Sequence, residues 1–148
     1  MTTNTLPLRF TAIVKVLAFV ATLAVASGSA LAADDHGNTK DTATPITVGV
    51  WPPSNISAQL EAAGDVDFFT FTVASKGQVM LAAHRGGLSP QMPTVTSLLD
   101  SSGNVIVATY GSTAVVRAIP AGTYFVSVTT TGGSTGKYVL IPRFVTTR

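Results

Sequence analysis

The sequence predicts an all-β protein: a single antiparallel β-sandwich, jelly-roll-like, preceded by a signal peptide. Three observations carry that reading. Apolar and polar residues alternate over short runs, and no run of ten residues holds a helical period. The runs are rich in Val, Thr, Phe and Tyr, which suit a pleated, half-buried surface. Gly- and Asn-containing breaks punctuate them at short intervals. With 148 residues, 46% of them hydrophobic and 11% charged, the chain fits one compact domain and not a disordered tail.

The N-terminus reads as a secretory signal over residues 1–32. Arg9 and Lys15 precede the apolar run Val16–Val25, and Ala30-Leu31-Ala32 supplies a small-residue cleavage site. An uncleaved membrane anchor is the competing reading, but the apolar run is short and Ser27, Gly28 and Ser29 dilute it. Residues 33–45 read as an extended acidic leader, and residues 46–148 as the sandwich. The expected location is secreted or periplasmic.

Nine strands are predicted: Ile46–Val50, Ile56–Leu60, Asp67–Ala74, Gln78–Ala83, Thr94–Leu99, Val105–Tyr110, Ala114–Ile119, Thr123–Thr129 and Lys137–Arg143. Within them Phe69, Phe71 and Val73 share a face opposite Thr70 and Thr72. Val79, Leu81 and Ala83 repeat the code, as do Val105 with Val107, and Tyr124 with Val126 and Val128. Pro142 suggests that the last strand is at an end or an edge there. Two sheets must stack to bury such faces. The expected core is Phe69, Phe71, Val73, Leu81, Leu98, Val107, Tyr124, Val126, Val128 and Tyr138.

The pI near 9.2 owes much to the signal segment. Without Arg9 and Lys15, seven basic residues face seven acidic ones. Net charge therefore gives nucleic-acid binding no support, and no membrane partner is expected after signal cleavage. The remaining charge is segregated. Residues 33–67 hold six acids and one lysine; residues 68–148 hold six Lys/Arg and one acid, Asp100. Cysteine is absent, which excludes disulfides, thiolate-bound metals and a thiol nucleophile. No Gly-x-Ser-x-Gly, His-Glu-x-x-His or Gly-x-x-x-x-Gly-Lys pattern occurs, so the chain is read as a non-enzyme.

Five segments, in order, resemble the bacterial pre-peptidase C-terminal domain: Asp34-Asp35-His36-Gly37-Asn38-Thr39; Gly64-Asp65-Val66-Asp67-Phe68-Phe69-Thr70-Phe71-Thr72-Val73; Leu99-Asp100-Ser101-Ser102-Gly103-Asn104; Ala121-Gly122-Thr123-Tyr124-Phe125-Val126-Ser127-Val128; and Gly136-Lys137-Tyr138-Val139-Leu140. The family is similar to the collagen-binding domains of clostridial collagenases. The resemblance implies a jelly-roll sandwich, non-catalytic, attached to secreted hydrolases, with calcium bound in some members. Two features depart from it. Members usually follow a catalytic domain, whereas here the sandwich is expected directly behind a signal peptide. Phe68 stands where Tyr or Trp is frequent.

Calcium takes several hard oxygen ligands. The expected ligands are Asp34, Asp35 and Asn38 from the leader, with Asp65 and Asp67, two apart and so on one side of an extended segment. The plainer reading is turn chemistry, because Asp and Asn favour turns and strand ends. His36 and His84 read as solvated loop and strand-end residues. The functional expectation is a secreted accessory or binding module, calcium-stabilised, that engages a secreted protein or surface polymer. The alternatives are a carbohydrate-binding module using an exposed Trp51, and an unrecognised hydrolase.

Overall fold

A computed structural model describes residues 33–49, 55–86, 92–111 and 114–147. The signal peptide expected at residues 1–32 and the expected binding residue Trp51 lie outside the described residues. The strands are β1 (Thr44–Pro45), β2 (Ile56–Leu60), β3 (Val66–Val73), β4 (Gly77–Arg85), β5 (Thr94–Leu99), β6 (Val105–Tyr110), β7 (Val115–Ile119), β8 (Gly122–Thr130) and β9 (Gly136–Thr146), with one 3-10 turn at Lys40–Thr42. They form two sheets, ordered β1-β3-β8-β5-β6 and β2-β9-β4-β7. Every pairing between named strands is antiparallel except β1 with β3. The two-sheet sandwich expected from the alternation is thus the observed architecture.

The alternation sets the core. Phe69, Phe71 and Val73 of β3 are buried, and they pair across the sheet with Val126, Tyr124 and Gly122 of β8. Phe71 and Tyr124 stack with centroids 5.8 Å apart. The facing sheet contributes Leu60, Val79, Leu81, Tyr138, Leu140 and Phe144. Nine of the ten expected core residues are buried, and Val107 packs partly buried against the cluster. At Gly77 a Cβ would come within 2.3 Å of the Phe144 ring, so only glycine allows β9 to lie this close.

Three local expectations need correcting. The strand expected at Ile46–Val50 is not a continuous pairing. Thr44 and Pro45 pair with Phe69 and Thr70, Ile46 N donates to Thr70 O, and Gly49 then bridges in parallel to Arg143 of the other sheet. This segment therefore passes from one sheet to the other.

Val105 does not share the buried face of Val107; it is 59% exposed. Leu98 pairs with Val107 but Leu99 pairs with Val105, so Ile106 is an extra residue and the period breaks there. Pro142 marks neither an end nor an edge of β9, which runs on to Thr146 between β2 and β4. Phe144 N donates to Gly49 O, so the even-numbered residues of β9 direct their N–H toward the β2 side. Among the described residues, the donor that Pro142 lacks has no waiting acceptor: it falls between Ile56, opposite Leu140, and Gly49.

Candidate metal centre

The same alternation that buries Phe69 and Phe71 carries Asp67 onto the core face of β3. Asp67 is fully buried. Tyr138, from β9 in the opposite sheet, donates its hydroxyl to Asp67 Oδ2 at 2.5 Å. The other oxygen, Oδ1, is buried and finds no hydrogen-bond partner among the described residues. A buried carboxylate with an unsatisfied oxygen is costly, which calls for a compensating group.

Three further carboxylates converge on it. Glu61 follows the last residue of β2, and a tight turn returns the chain to Asp65. Asp65 N donates to Ala62 O at 3.2 Å, and Gly64 supplies the positive φ of +88° that the turn requires. Glu61 N donates to Asp65 Oδ2 at 2.8 Å. Asp34 arrives from the N-terminal segment. One ligand atom from each of Asp34, Glu61, Asp65 and Asp67 lies within 4.8 Å of all the others.

The N-terminal segment is pinned to both sheets. Gln59 N of β2 donates to Asp35 Oδ2 at 2.9 Å. On β3, Val66 N donates to Asn38 Oδ1 at 3.2 Å and Phe68 N to Gly37 O at 2.9 Å. Asn38 Nδ2 donates to Asp34 Oδ2 at 2.9 Å, and His36 N to Asp34 Oδ1 at 3.2 Å, which orients Asp34. His36 Nδ1 is hydrogen-bonded to Thr44 Oγ1 at 3.0 Å, and its ring lies 4.6 Å from that of Phe69. That ring is packed rather than freely solvated.

Of the five expected ligands, Asp34, Asp65 and Asp67 come together. Asp35 and Asn38 instead accept backbone N–H groups and position the segment. Glu61 joins the cluster without having been read from the sequence. Its signal was its place: one residue beyond an apolar strand and four before Asp65, where a tight turn makes the two ends neighbours.

Crowding shows in the acid strengths. Burial pushes the Asp67 carboxyl up to about 7; the Tyr138 hydrogen bond opposes this, while Asp35, Asp65 and Glu61 add to it. Glu61 is likewise raised to about 7, by burial first and then by Asp65 and Asp35. Burial and the Asp67 charge together hold the Tyr138 phenol protonated far above its usual range, so it acts only as a donor. One buried oxygen of Glu61, Oε2, also has no partner among the described residues.

The donor set fits a hard divalent cation. All four groups are carboxylates. Oxygens on opposite sides of a calcium ion stand about 4.6–5.2 Å apart, against about 4.0–4.2 Å for magnesium. A dication would take up the free oxygens of Asp67 and Glu61 and cancel the repulsion that raises both groups.

Two stacked sheets, with a segment strapped across an acidic corner, make a β-sandwich whose fold is similar to that of a pre-peptidase C-terminal domain. The particular likeness is to the 1.0 Å crystal structure of the pre-peptidase C-terminal domain of a collagenase from Bacillus anthracis. It has a TM-score of 0.56 and 21% identity, and covers 72% of this chain and all of that one. The chain is also similar to a periplasmic inhibitor of g-type lysozyme from Aeromonas hydrophila, with a TM-score of 0.52 and 14% identity over 69% of this chain and 98% of that one. At these identities the likeness is one of fold. No protein-family model matches the sequence, and no curated protein matches it.

Proposed function

We propose that the chain is a secreted or periplasmic, non-catalytic accessory module in which calcium joins the N-terminal segment to the sandwich, and that it engages a secreted protein or surface polymer. One observation carries the calcium reading: the fully buried Asp67, with an unpartnered oxygen, faces three other carboxylates. The likeness to a domain of a collagenase and to a lysozyme inhibitor supports the binding reading. Among the described residues no helix is long and apolar enough to cross a membrane.

The test is thermal melting with calcium, magnesium or chelator. Calcium at 100 times its dissociation constant should stabilise by about 2.7 kcal/mol, because the unfolded chain cannot assemble the ligands. Magnesium should substitute poorly. Asp65→Asn and Asp67→Asn should each remove most of the increment. Equal midpoints in calcium and chelator would end the calcium reading.

A further inference from the structure

The acidic corner accounts for the negative half of the charge segregation but leaves the positive half unexplained. The described lysines and arginines are Lys40, Lys76, Arg85, Arg117, Lys137 and Arg143. Four of these six lie in strands of one sheet, and a fifth adjoins it. Arg85 is in β4, Arg117 in β7, Lys137 and Arg143 are in β9, and Lys76 immediately precedes β4. None of the strands β2, β9, β4 and β7 contains an Asp or Glu.

The pairing register gives the outer face of this sheet. His84 lies opposite Val139, and Ala82 opposite Ile141. Met80 lies between Arg143 and Val116, and Gln78 between Val145 and Ala118. Val116 is 52% exposed and Val145 51%. Lys137, His84 and Lys76 are exposed around this aliphatic centre, whereas Arg117, opposite the core residue Val79, lies on the other face of its strand. Lys137 and Arg143, six residues apart in one strand, stand about 20 Å apart.

The five-stranded sheet differs. Its only acid is the buried Asp67, and its strands contain no cation. Its outer face carries part of the N-terminal segment: Lys40 Nζ lies 5.5 Å from the Phe125 ring centroid and donates to Ser101 O at 3.3 Å. Among the described residues, the four-stranded sheet has no such strap.

We infer that the outer face of β2-β9-β4-β7 docks a protein partner whose contacting surface is apolar at its centre and acidic at its rim. This names the face used by the accessory module proposed above and rests on that reading. An aliphatic patch with Met and Arg and a charged rim has the anatomy of a protein interface. Charge complementarity selects an acidic partner and rejects basic ones. The exposed apolar side chains are aliphatic, whereas stacking against sugar rings uses aromatic faces, so a protein is favoured over an acidic polysaccharide.

A randomised peptide display library selected on the full folded protein tests this. Enriched peptides should interleave Asp or Glu with apolar residues, and their affinity should fall at least tenfold between 50 and 500 mM salt. The exposed double variant Lys76→Glu, Lys137→Glu should weaken them at least tenfold while keeping the wild-type calcium-dependent melting shift. The uncharged pair Val116→Ser, Val145→Ser should weaken the same peptides. Four outcomes would overturn the inference: no enrichment, peptides without acidic bias, peptides indifferent to both variants, or tighter binding of polygalacturonate than of the acidic peptides on this face. Melting of the same samples keeps the two proposals apart. A calcium shift without docking removes only the docking face, and docking without a calcium shift removes only the metal.

Discussion

Two aspartate-bearing corners of this molecule look alike in sequence and behave in opposite ways. Gly64-Asp65-Val66-Asp67 and Asp100-Ser101-Ser102-Gly103-Asn104 each place aspartate beside a glycine with positive φ. Asp100 is satisfied locally. Asn104 N donates to its Oδ1 at 2.9 Å and Asn104 Nδ2 to its Oδ2 at 3.0 Å, while Gly103 N donates to Asp100 O at 3.0 Å. Those donors hold its carboxyl below the usual range. Asp67 has one donor, one orphaned oxygen and three carboxylate neighbours, and its acidity moves the other way. A carboxylate that serves a turn is aimed at backbone N–H groups. The one proposed to hold a cation is aimed at other carboxylates. Donor count therefore separates the two where composition does not.

The largest effect that would break this contrast is a pH dependence. The Asp67 carboxyl is raised from 3.8 to about 7 in the folded, metal-free protein. Below pH 4 both folded and unfolded chains hold the proton. As pH rises from 4 to 7 the unfolded chain releases it first, so folding stability falls through that window. A three-unit shift corresponds to about 4 kcal/mol for this fully buried group. Glu61 acts in the same direction. Metal-stripped protein should therefore melt higher at pH 5 than at pH 8, and saturating calcium should reverse the order by favouring the ionised cluster. Asp67→Asn should flatten the metal-free trend. An unchanged trend in that variant would show that Asp67 is ordinary.

A second test compares two buried phenols. Tyr138 donates to a carboxylate, and Tyr124 donates to the Pro120 carbonyl at 3.0 Å. Tyr138→Phe strips Asp67 of its only donor among the described residues and should cost about 1–3 kcal/mol. Tyr124→Phe removes a hydrogen bond to a neutral acceptor and should cost about 0.5–1.5 kcal/mol. Urea unfolding in chelator measures both. The calcium increment should survive Tyr138→Phe, because the phenol is not among the clustered acids. Equal costs would mean that Asp67 is not charge-stressed.

Period-two alternation carried most of the fold, because each residue of β3 and β8 faces core or surface by count alone. The same counting puts Asp67 on the face of Phe69, Phe71 and Val73. The acid expected to be a ligand was thus already placed on the buried face. What counting could not supply was closure in three dimensions. Glu61 meets Asp34 only because the N-terminal segment bonds to Gln59 and Val66, and those long-range bonds leave no local pattern. Asp35 and Asn38 have the composition of ligands, yet backbone donors claim them. The extra residue at Ile106 and the position of Pro142 inside a sheet depend on partner strands, so they too were invisible in a single chain.

The smallest effect sharpens the comparison from its quiet side. Asp100→Asn keeps an oxygen for Asn104 N but loses the charge that strengthens both bonds. The group lies on the surface, so solvent screens most of that loss. The midpoint should drop slightly at neutral pH. Because its folded carboxyl is more acidic than the unfolded one, the difference from wild type should shrink as pH falls through the carboxylate range. Calcium should leave that difference unchanged, since the turn has no unpartnered carboxylate oxygen to offer. Melting curves of Asp100→Asn and wild type, with calcium and with chelator, measure it directly. A calcium-dependent difference would place a second cation at the Asp100 turn, and donor count would no longer distinguish the two corners.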